Sequence, residues 1–344
     1  MTEVVFAIPG RVDKPTGGFV YDRRVMALMP SLGVSAHYLN LPGLYPNPSK
    51  NDLDKARELL NATPPAAKLV IEGLALGVMP GKILAPLGHR IIALVHQPLA
   101  EISGLNDTQR DELFIMERSA LEYARSVITL SALTRDKLIQ KYGIDLEKIT
   151  VAEPGTDPAP RASGTGTPLQ LLAVGAIEPR KKYNLLIDAL IPISHLDWRL
   201  TIVGAKDRDE TCVSELTIKI AKAGLGERVN LAGVVVPATL ERLYDGADIF
   251  VQPSPLDLFG TALSEAMVRG LPIISGQNES SASAATLNVP FDDEAALQDA
   301  LARILQNKKL RRQLADAAWD IGRKLPTWNE TARRIGAVIL GLDL

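Results

Sequence analysis

Two acidic residues and a glycine stand close together in the stretch 247–275, which reads ADIFVQPSPLDLFGTALSEAMVRGLPIIS. A glycine such as Gly260 lets the backbone approach a ligand closely, and a helix that begins just after it offers unpaired N–H groups to phosphate or sugar oxygens. Glu265, one turn further along, is placed to accept hydrogen bonds from two vicinal hydroxyls. The alternative is that Asp257 only caps the helix and that Glu265 is solvated.

The elements around these residues are predicted from the hydrophobic pattern. The apolar run 249–251 is bounded by prolines and favours a buried strand. Apolar residues then recur at helical spacing over 262–267 until Gly270 ends the helix, and 271–274 predicts a second buried strand. Because ligands bind at the carboxyl ends of strands in doubly wound sheets, the two acids lie where a ligand is expected.

Length and composition limit the class of protein. The 344 residues are enough for two domains with full cores, and the chain is 46% hydrophobic and 23% charged, as soluble globular proteins are. The 38 basic and 40 acidic side chains give a net charge of −2. Because no bulk field attracts polyanions, we expect no nucleic-acid partner and at most a peripheral membrane contact.

The single cysteine, Cys212, excludes an intramolecular disulfide and a Cys-x-x-Cys metal site. The start of the sequence, MTEVVFAIPG, has a strand pattern and lacks the basic start and apolar core of a signal peptide, and no stretch reaches about 18 apolar residues. The sequence therefore predicts a cytoplasmic protein, with peripheral attachment to the inner membrane face as the alternative.

In the first half, strand and helix patterns alternate, which predicts a parallel sheet covered on both faces. Gly17 and Gly18 follow the first strand, and paired glycines there allow close approach to an anion, although they also make ordinary turns. His96 comes directly after the strand 90–95, so it should lie at the carboxyl edge of the sheet.

The second half restarts with a strand at 169–175 after a Pro/Gly/Ser-rich run, PAPRASGTGTP, which predicts an interdomain linker. Arg180, Lys181 and Lys182 follow at the start of a helix, where cations oppose the helix dipole. This placement indicates an anionic ligand; the alternative is a solvated basic turn. Asp-Arg-Asp at 207–209 has the spacing of a metal motif, but its position favours helix capping.

The stretch around Asp257 resembles the Glu-x7-Glu signature of family 4 retaining glycosyltransferases with the GT-B fold. Pro253-Ser254, Phe259-Gly260 and Glu265-Ala266-Met267 match it in register, while Asp257 stands where a glutamate is expected. The resemblance implies that Asp257 holds donor-sugar hydroxyls and that Glu265 binds the ribose. It also implies that the backbone at Phe259, Gly260 and Thr261 holds sugar and phosphate.

The resemblance extends to other parts of the chain and implies further site residues. The residues 178–181, Glu-Pro-Arg-Lys, are similar to a variant of the family's diphosphate motif, in which Lys181 supplies the lysine and Arg180 the guanidinium, since Ala176 occupies the usual arginine position. Gly17 and Gly18 would then face the donor diphosphate and the acceptor, and His96 would reach the donor sugar. The backbone near Val235 would meet the nucleobase.

For the whole chain, the resemblance implies an α/β protein of the GT-B fold, with two Rossmann-like domains that face each other across a cleft. An acceptor-binding domain at 1–157 would precede a nucleotide-sugar domain at 158–325, and a last helix at 326–344 would cross back to the first domain. The implied reaction is retaining transfer of a sugar from a nucleotide-sugar, such as a UDP- or GDP-sugar, to a glycan, glycolipid or small molecule.

The resemblance implies no cofactor and no metal for this reaction. Two alternatives stay open. Nucleotide-sugar epimerases and synthases share the fold, and the departures at Ala176 and Asp257 also fit a nucleotide-sugar-binding protein with weakened turnover.

Overall fold

The structure, a computed structural model, describes residues 2–10, 17–102, 104–254, 260–276 and 284–342. The chain forms two compact units, one made of Met1–Gly155 with Pro326–Leu344 and the other of Thr156–Leu325. In these described ranges, no helix combines the length and the hydropathy needed to cross a bilayer.

The amino-terminal unit has a parallel β-sheet with helices around it. Its strands are β1 (Thr2–Pro9), β2 (Val34–Leu41), β3 (Lys68–Glu72), β4 (Ile91–Val95), β5 (Ser126–Thr129) and β6 (Ile149–Val151). Its helices are α1 (Gly17–Leu28), α2 (Lys50–Asn61), α3 (Gly73–Leu76), α4 (Gly81–Leu84), α5 (Asp107–Leu121), α6 (Ala132–Gln140) and, from the end of the chain, α13 (Trp328–Leu340). Short 3-10 helices cover Met29–Leu32, Ala85–Arg90, Leu99–Glu101 and Leu146–Lys148.

The described strands of this sheet run in the order β2-β1-β3-β4-β5-β6, and all neighbouring pairs are parallel. The central strands β3 and β4 are almost continuously buried, as expected for a parallel sheet that is covered on both faces. The strand order reverses between β1 and β3. In doubly wound sheets this reversal opens a crevice at the carboxyl ends of the strands, where ligands bind.

The last helix of the chain, α13, completes the amino-terminal unit. The Trp328 ring packs edge-on against the Tyr21 ring of α1, with 5.9 Å between their centroids. The Thr331 hydroxyl donates a hydrogen bond to the carbonyl oxygen of Glu153 at 2.7 Å. The backbones approach so closely that a Cβ added at Gly155 would lie 2.3 Å from the Trp328 nitrogen. The return of the final helix to the first unit follows from these contacts.

The carboxyl-terminal unit has a second parallel sheet. Its strands are β7 (Leu169–Val174), β8 (Trp198–Val203), β9 (Val229–Gly233), β10 (Ile249–Gln252), β11 (Ile273–Gly276) and β12 (Thr286–Val289). Its helices are α7 (Tyr183–Leu190), α8 (Glu210–Lys222), α9 (Pro237–Asp245), α10 (Thr261–Val268), α11 (Glu294–Gln306) and α12 (Lys308–Gly322), and a 3-10 turn covers Pro179–Lys181. The described strands follow the order β12-β11-β10-β7-β8-β9, which reverses between β7 and β10. The expected α/β fold with two Rossmann-like units is confirmed.

The run 158–168 has neither helix nor strand, but it is not a free linker. The Ser163 amide donates to the Asp245 carboxylate at 3.1 Å, and the Gly166 amide donates to the Asp248 carboxylate at 3.2 Å. The run therefore belongs to the second unit and is not a flexible linker between the two units. The composition of the run shows that it lacks an apolar face. It does not show that two carboxylates accept hydrogen bonds from the Ser163 and Gly166 amides and fix the run to the second unit.

Candidate functional site

The candidate site in the carboxyl-terminal unit begins where β7 ends, next to the reversal of strand order. A Cβ added at Gly175 would lie 2.7 Å from Lys181 Cε, and a Cβ added at Gly204 would lie 1.9 Å from the Gly175 carbonyl oxygen. Both positions therefore require glycine. This close packing of backbone and lysine leaves the Lys181 residue only 3% exposed at the carboxyl edge of the sheet.

The three neighbouring cations have different environments. Arg180 forms an ion pair with Glu178, and its side chain is 52% exposed. Lys182 has a left-handed backbone conformation, with φ +57°, and its ammonium lies 2.8 Å from the Asp292 carboxylate. Arg180 and Lys182 thus pair with carboxylates of the chain itself, although the sequence predicted an anionic ligand for them. Among the three, Lys181 is the one that is buried at the strand edge.

Three helices of this unit begin without a side-chain cap. In the described part of the chain, α7, α9 and α10 have no capping hydrogen bond from a side chain, whereas Asp209, Asp293 and Asn307 cap α8, α11 and α12. Capping by Asp209, which the sequence favoured over metal binding, is confirmed. The first turns of α7 and α10 therefore keep amide donors and partial positive charge for an anion.

Glu265 lies on α10, which begins at Thr261 directly after Gly260 in a left-handed conformation with φ +51°. The Tyr244 hydroxyl donates a hydrogen bond to Glu265 Oε2 at 2.9 Å. Burial raises the pKa of Glu265, while the hydrogen bond from Tyr244 and the charge of Arg269 act in the opposite direction. The carboxylate is thus held in one place by a buried phenol at the carboxyl edge of β10.

Three further residues were predicted for the site in this unit: Asp257, Phe259 and Val235. Asp257 and Phe259 lie outside the described residues. Val235 follows β9 and is half-buried between exposed Val234 and Val236. The role of the backbone near Val235 stays a prediction.

In the amino-terminal unit, α1 begins at Gly17 and continues through Gly18, next to the end of β1. His96 is the first residue after β4, as its place in the sequence predicted. Two carboxylates that sequence reasoning missed face its ring. His96 Nε2 lies 3.3 Å from Asp22 Oδ1, and His96 Nδ1 lies 3.6 Å from Glu72 Oε1.

One signal in the sequence pointed to Glu72. It is a charged residue that ends the otherwise apolar strand pattern KLVIE, at a carboxyl edge where ligands bind. Asp22 gave no such signal, because a single acid on an amphipathic helix is normally solvated. In the structure, Asp22 is 1% exposed and Glu72 is 4% exposed.

Metal binding has no support from side-chain geometry. Among the described residues, no group of three histidine, cysteine or acidic side chains is arranged to hold a metal ion. The absence of a metal from the reaction stays a prediction.

Comparison with known proteins finds similarity to one family in the second unit. Residues 158–320 match the model of the family described as glycosyl transferases group 1. The chain is 26% identical over 239 residues to mannosylfructose-phosphate synthase of Agrobacterium fabrum, which covers 62% of this chain and 52% of that protein. It is 27% identical over 252 residues to D-inositol 3-phosphate glycosyltransferase of Nocardia farcinica, which covers 67% and 55%. The chain thus spans about half the length of these relatives.

Solved structures share the fold. Sucrose-phosphate synthase from Thermosynechococcus elongatus superposes with a TM-score of 0.79 and 19% identity over 98% of each chain. The Anabaena protein HepE in complex with UDP-glucose gives a TM-score of 0.68 and 15% identity over 98% of this chain and 100% of that one. Over residues 158–320, this chain is thus similar to the family of glycosyl transferases group 1.

Proposed function

We propose that this protein moves a sugar from a nucleotide-sugar donor to an acceptor hydroxyl, with retention of the anomeric configuration and without a metal. The observation that carries this proposal is the buried ammonium of Lys181 at the end of β7, beside Gly175. Its place at the reversal of strand order is where a doubly wound sheet binds phosphates.

The chemistry explains why a cation is needed there. Departure of a nucleoside diphosphate leaves an oxocarbenium-like sugar and places negative charge on the outer phosphate. Lys181, together with the amides of the first turns of α7 and α10, stabilises this charge as it develops. Arg180 supplies a second cation by exchanging its partner Glu178 for phosphate. Asp257, Phe259 and the backbone near Gly260 and Val235 bind the sugar, the phosphate and the base.

Glu265 binds the ribose of the donor in this proposal. Its carboxylate is fixed by Tyr244 and lies at the start of α10, close to where the diphosphate would bind. A carboxylate accepts hydrogen bonds from both vicinal hydroxyls, and this contact is the same before and during the reaction. It therefore contributes to donor affinity rather than to turnover.

The amino-terminal unit binds the acceptor and contributes His96 to the donor sugar, with Gly17 and Gly18 facing the diphosphate. The name of the Agrobacterium relative contains a sugar phosphate, and the name of the Nocardia relative contains an inositol phosphate. These two classes are the first acceptors to try, and UDP-glucose, the ligand in the HepE complex, is the first donor.

The test compares Lys181→Ala with Lys182→Asn. Loss of a charge contact that forms fully only in the transition state should lower turnover about a hundred- to a thousandfold, or about 3 to 4 kcal/mol in the barrier. Lys182→Asn is the matched control, because it removes the neighbouring cation while asparagine tolerates the left-handed backbone. We expect it to keep turnover within about threefold of wild type, since Lys182 pairs with Asp292. Equal losses in the two variants would contradict the role of Lys181.

Product analysis separates the remaining alternatives. Proton NMR of the new glycosidic bond, with and without an acceptor, should show the anomeric configuration of the donor retained. A changed sugar in the absence of acceptor would identify an epimerase, and a product made from a phosphorylated sugar acceptor would identify a synthase. Donor binding with neither transfer nor donor hydrolysis would overturn the proposal in favour of a binding protein.

A further inference from the structure

The amino-terminal unit contains a buried cluster of three titratable side chains, of which the proposed reaction uses only His96. Asp22 comes from α1, Glu72 is the last residue of β3, and His96 follows β4. Their side chains are 1%, 5% and 10% exposed, respectively. The three elements meet at the carboxyl edge of the sheet, where the strand order reverses between β1 and β3. The cluster is therefore placed at the edge where a ligand is expected.

The arrangement constrains the protonation of the His96 ring. A neutral imidazole has one N–H donor and one lone pair, while an ionised carboxylate only accepts hydrogen bonds. Nε2 faces Asp22 at 3.3 Å and Nδ1 faces Glu72 at 3.6 Å. A neutral ring would therefore direct a lone pair at one of the carboxylates. Only the doubly protonated imidazolium presents a donor to both.

Aromatic side chains hold the ring from a third side. Tyr21 packs edge-on against the His96 ring, with 5.6 Å between centroids and 75° between planes. The Tyr21 hydroxyl donates to the Ala152 carbonyl oxygen at 2.8 Å, and the Trp328 ring also packs edge-on against Tyr21. These contacts fix Tyr21 and exclude water from one side of the cluster, which strengthens the electrostatic interaction between His96 and the carboxylates.

The two distances also leave the ring some freedom. Charge-assisted N–H···O bonds are usually about 2.8 Å long, so neither carboxylate holds His96 in a short bond. Catalytic hydrogen bonds are often long in the free enzyme and shorten when substrate binds. The carboxylates therefore orient the ring by charge and still allow it to move towards a substrate atom.

We propose that Asp22 and Glu72 are positioning residues that keep His96 doubly protonated and oriented, so that it meets the substrate as a hydrogen-bond donor and a positive charge. This inference rests on the proposed function for the identity of the substrate. Neither acid touches substrate; both act through His96. The atom that His96 recognises is consequently a hydroxyl or phosphate oxygen that accepts a hydrogen bond.

Electrostatics support the geometry. Burial lowers the pKa of His96, but Asp22 and Glu72 outweigh this effect and raise it above the usual value. Burial raises the pKa of Glu72 to about 7, opposed by His96. The titratable groups that face His96 in the described ranges include Tyr21 and Asp22 from α1 and Glu72 from β3, and the charge of Glu72 in turn raises the pKa of Glu117 from α5. The cluster therefore titrates as one coupled unit.

The test is an NMR titration of the histidine rings in the free protein. The chain has four histidines, and His96→Gln identifies the signals of His96. In the wild-type protein, His96 should keep both ring protons above the ordinary histidine pKa of about 6.5. Asp22→Asn and Glu72→Gln should each move its titration to lower pH, by about one pH unit. Titration of wild-type His96 at or below the ordinary value, or an unchanged titration in both variants, would overturn the proposal.

Controls separate charge from packing. Glu117→Gln removes another buried acid of the same unit and should leave the titration of His96 in place, whereas Asp22→Glu should restore it towards wild type. If the variants do not fold, the titration of the wild-type protein decides the question by itself. Because the titration needs no donor, it can succeed when sugar transfer fails, and a transferase whose His96 titrates normally would contradict this inference alone.

Activity gives a second readout that a purely structural role would not change. The charged form of His96 is lost as the pH rises through its pKa, so turnover should fall on the alkaline side. In Asp22→Asn this alkaline limb should move to lower pH by about one unit, which is roughly a tenfold loss of rate at a pH on the limb and little loss below it. A uniform loss at all pH values would indicate misfolding and count against a positioning role.

Discussion

At the scale of single residues, the proposed function makes donor binding depend on pH through the environment of Glu265. The side chain is half-buried, and burial favours its neutral form, so its pKa lies above the usual value. The hydrogen bond from the Tyr244 hydroxyl stabilises the ionised form. Ribose recognition requires the ionised carboxylate, because only that form accepts hydrogen bonds with both oxygens.

Tyr244→Phe should therefore change the pH dependence of donor binding. The variant loses the hydrogen bond that stabilises the carboxylate, so the pKa of Glu265 rises further. The donor KM increases as the pH falls through this pKa, and in the variant the increase should begin at a higher pH. Donor KM measured from about pH 5 to about pH 8 checks this shift, and Glu265→Gln serves as the control.

The control removes the titrating group itself. Glu265→Gln should raise the donor KM by roughly tenfold, equivalent to about 1.4 kcal/mol, while turnover changes little, since a ribose contact is uniform binding. The acid limb of the KM profile should disappear in this variant. Identical KM profiles in the wild-type protein and Tyr244→Phe would show that Glu265 does not bind the donor through its carboxylate.

Residue patterns and the family resemblance predicted Lys181, Glu265 and His96 as site residues, because each lies in a segment that follows a predicted strand. What the sequence did not show is how these side chains are supported. Tyr244 and Asp22 are ordinary members of amphipathic helices in the sequence, and only tertiary packing places them against Glu265 and His96. Such partners depend on the relative positions of elements that are distant in the chain.

At the scale of elements, α5 fixes the turn that follows His96. Glu117 of α5 is buried, and its Oε2 accepts a hydrogen bond from the Leu99 amide at 2.8 Å. Leu99 begins the 3-10 turn Leu99–Glu101, three residues after His96. The helix thus anchors the segment on which the histidine stands. Burial raises the pKa of Glu117 to about 7, although the Leu99 hydrogen bond opposes this.

Glu117→Gln should make the stability of the protein less dependent on pH. In the unfolded chain a glutamate loses its proton near pH 4.5, whereas Glu117 in the folded protein keeps it to about pH 7. The folded wild-type protein therefore loses stability as the pH rises from about 4.5 to about 7, by about 3 kcal/mol in total. Glutamine still accepts the Leu99 hydrogen bond but does not ionise. The difference between variant and wild type should consequently grow in favour of the variant over this range.

Urea unfolding at about pH 5 and about pH 8 measures the effect. Glu112→Gln is the matched control, because Glu112 lies on the same helix with an exposed side chain and should leave the pH dependence unchanged. If Glu117→Gln and Glu112→Gln show the same pH dependence as wild type, Glu117 does not carry its proton into the neutral range.

Most elements were predictable from local pattern. The strands predicted at 90–95 and 169–175 are Ile91–Val95 and Leu169–Val174, and the helical spacing over 262–267 lies in the helix Thr261–Val268. The strand β12 was not predicted, because its sequence Thr-Leu-Asn-Val is short and only partly apolar, and an edge strand needs less burial. The short helices α3 and α4 were also missed, since four residues are too few to show a helical period.

At the scale of the whole molecule, strand order determines which residues meet, and local pattern does not give strand order. Alternating strands and helices predicted two parallel sheets, but the order β2-β1-β3-β4 is what brings α1, the end of β3 and the residue after β4 to one place. Family resemblance supplied the fold and the positions of the motif residues. It supplied His96 but not the two carboxylates that face it, because Asp22 and Glu72 are not part of the matching motifs.

The nucleobase of the proposed donor is measurable on the whole protein. Val235, for which the family resemblance implies a base contact through the backbone, lies between the exposed residues Val234 and Val236. Binding of the correct nucleoside diphosphate should stabilise the folded protein, since the unfolded chain has no site for it.

A thermal-shift panel of UDP, GDP, ADP and dTDP should show one preferred base. A nucleotide at about 100 times its dissociation constant adds about 2.7 kcal/mol, which raises the melting temperature by a few degrees in a protein of this size. Lys181→Ala should reduce the shift at the same nucleotide concentration, because the diphosphate loses its buried cation, whereas Lys182→Asn should respond as wild type does. If none of the four nucleotides changes the melting temperature of the wild-type protein, the edge formed by β7, α7 and α10 does not bind a nucleoside diphosphate, and the proposed donor is wrong.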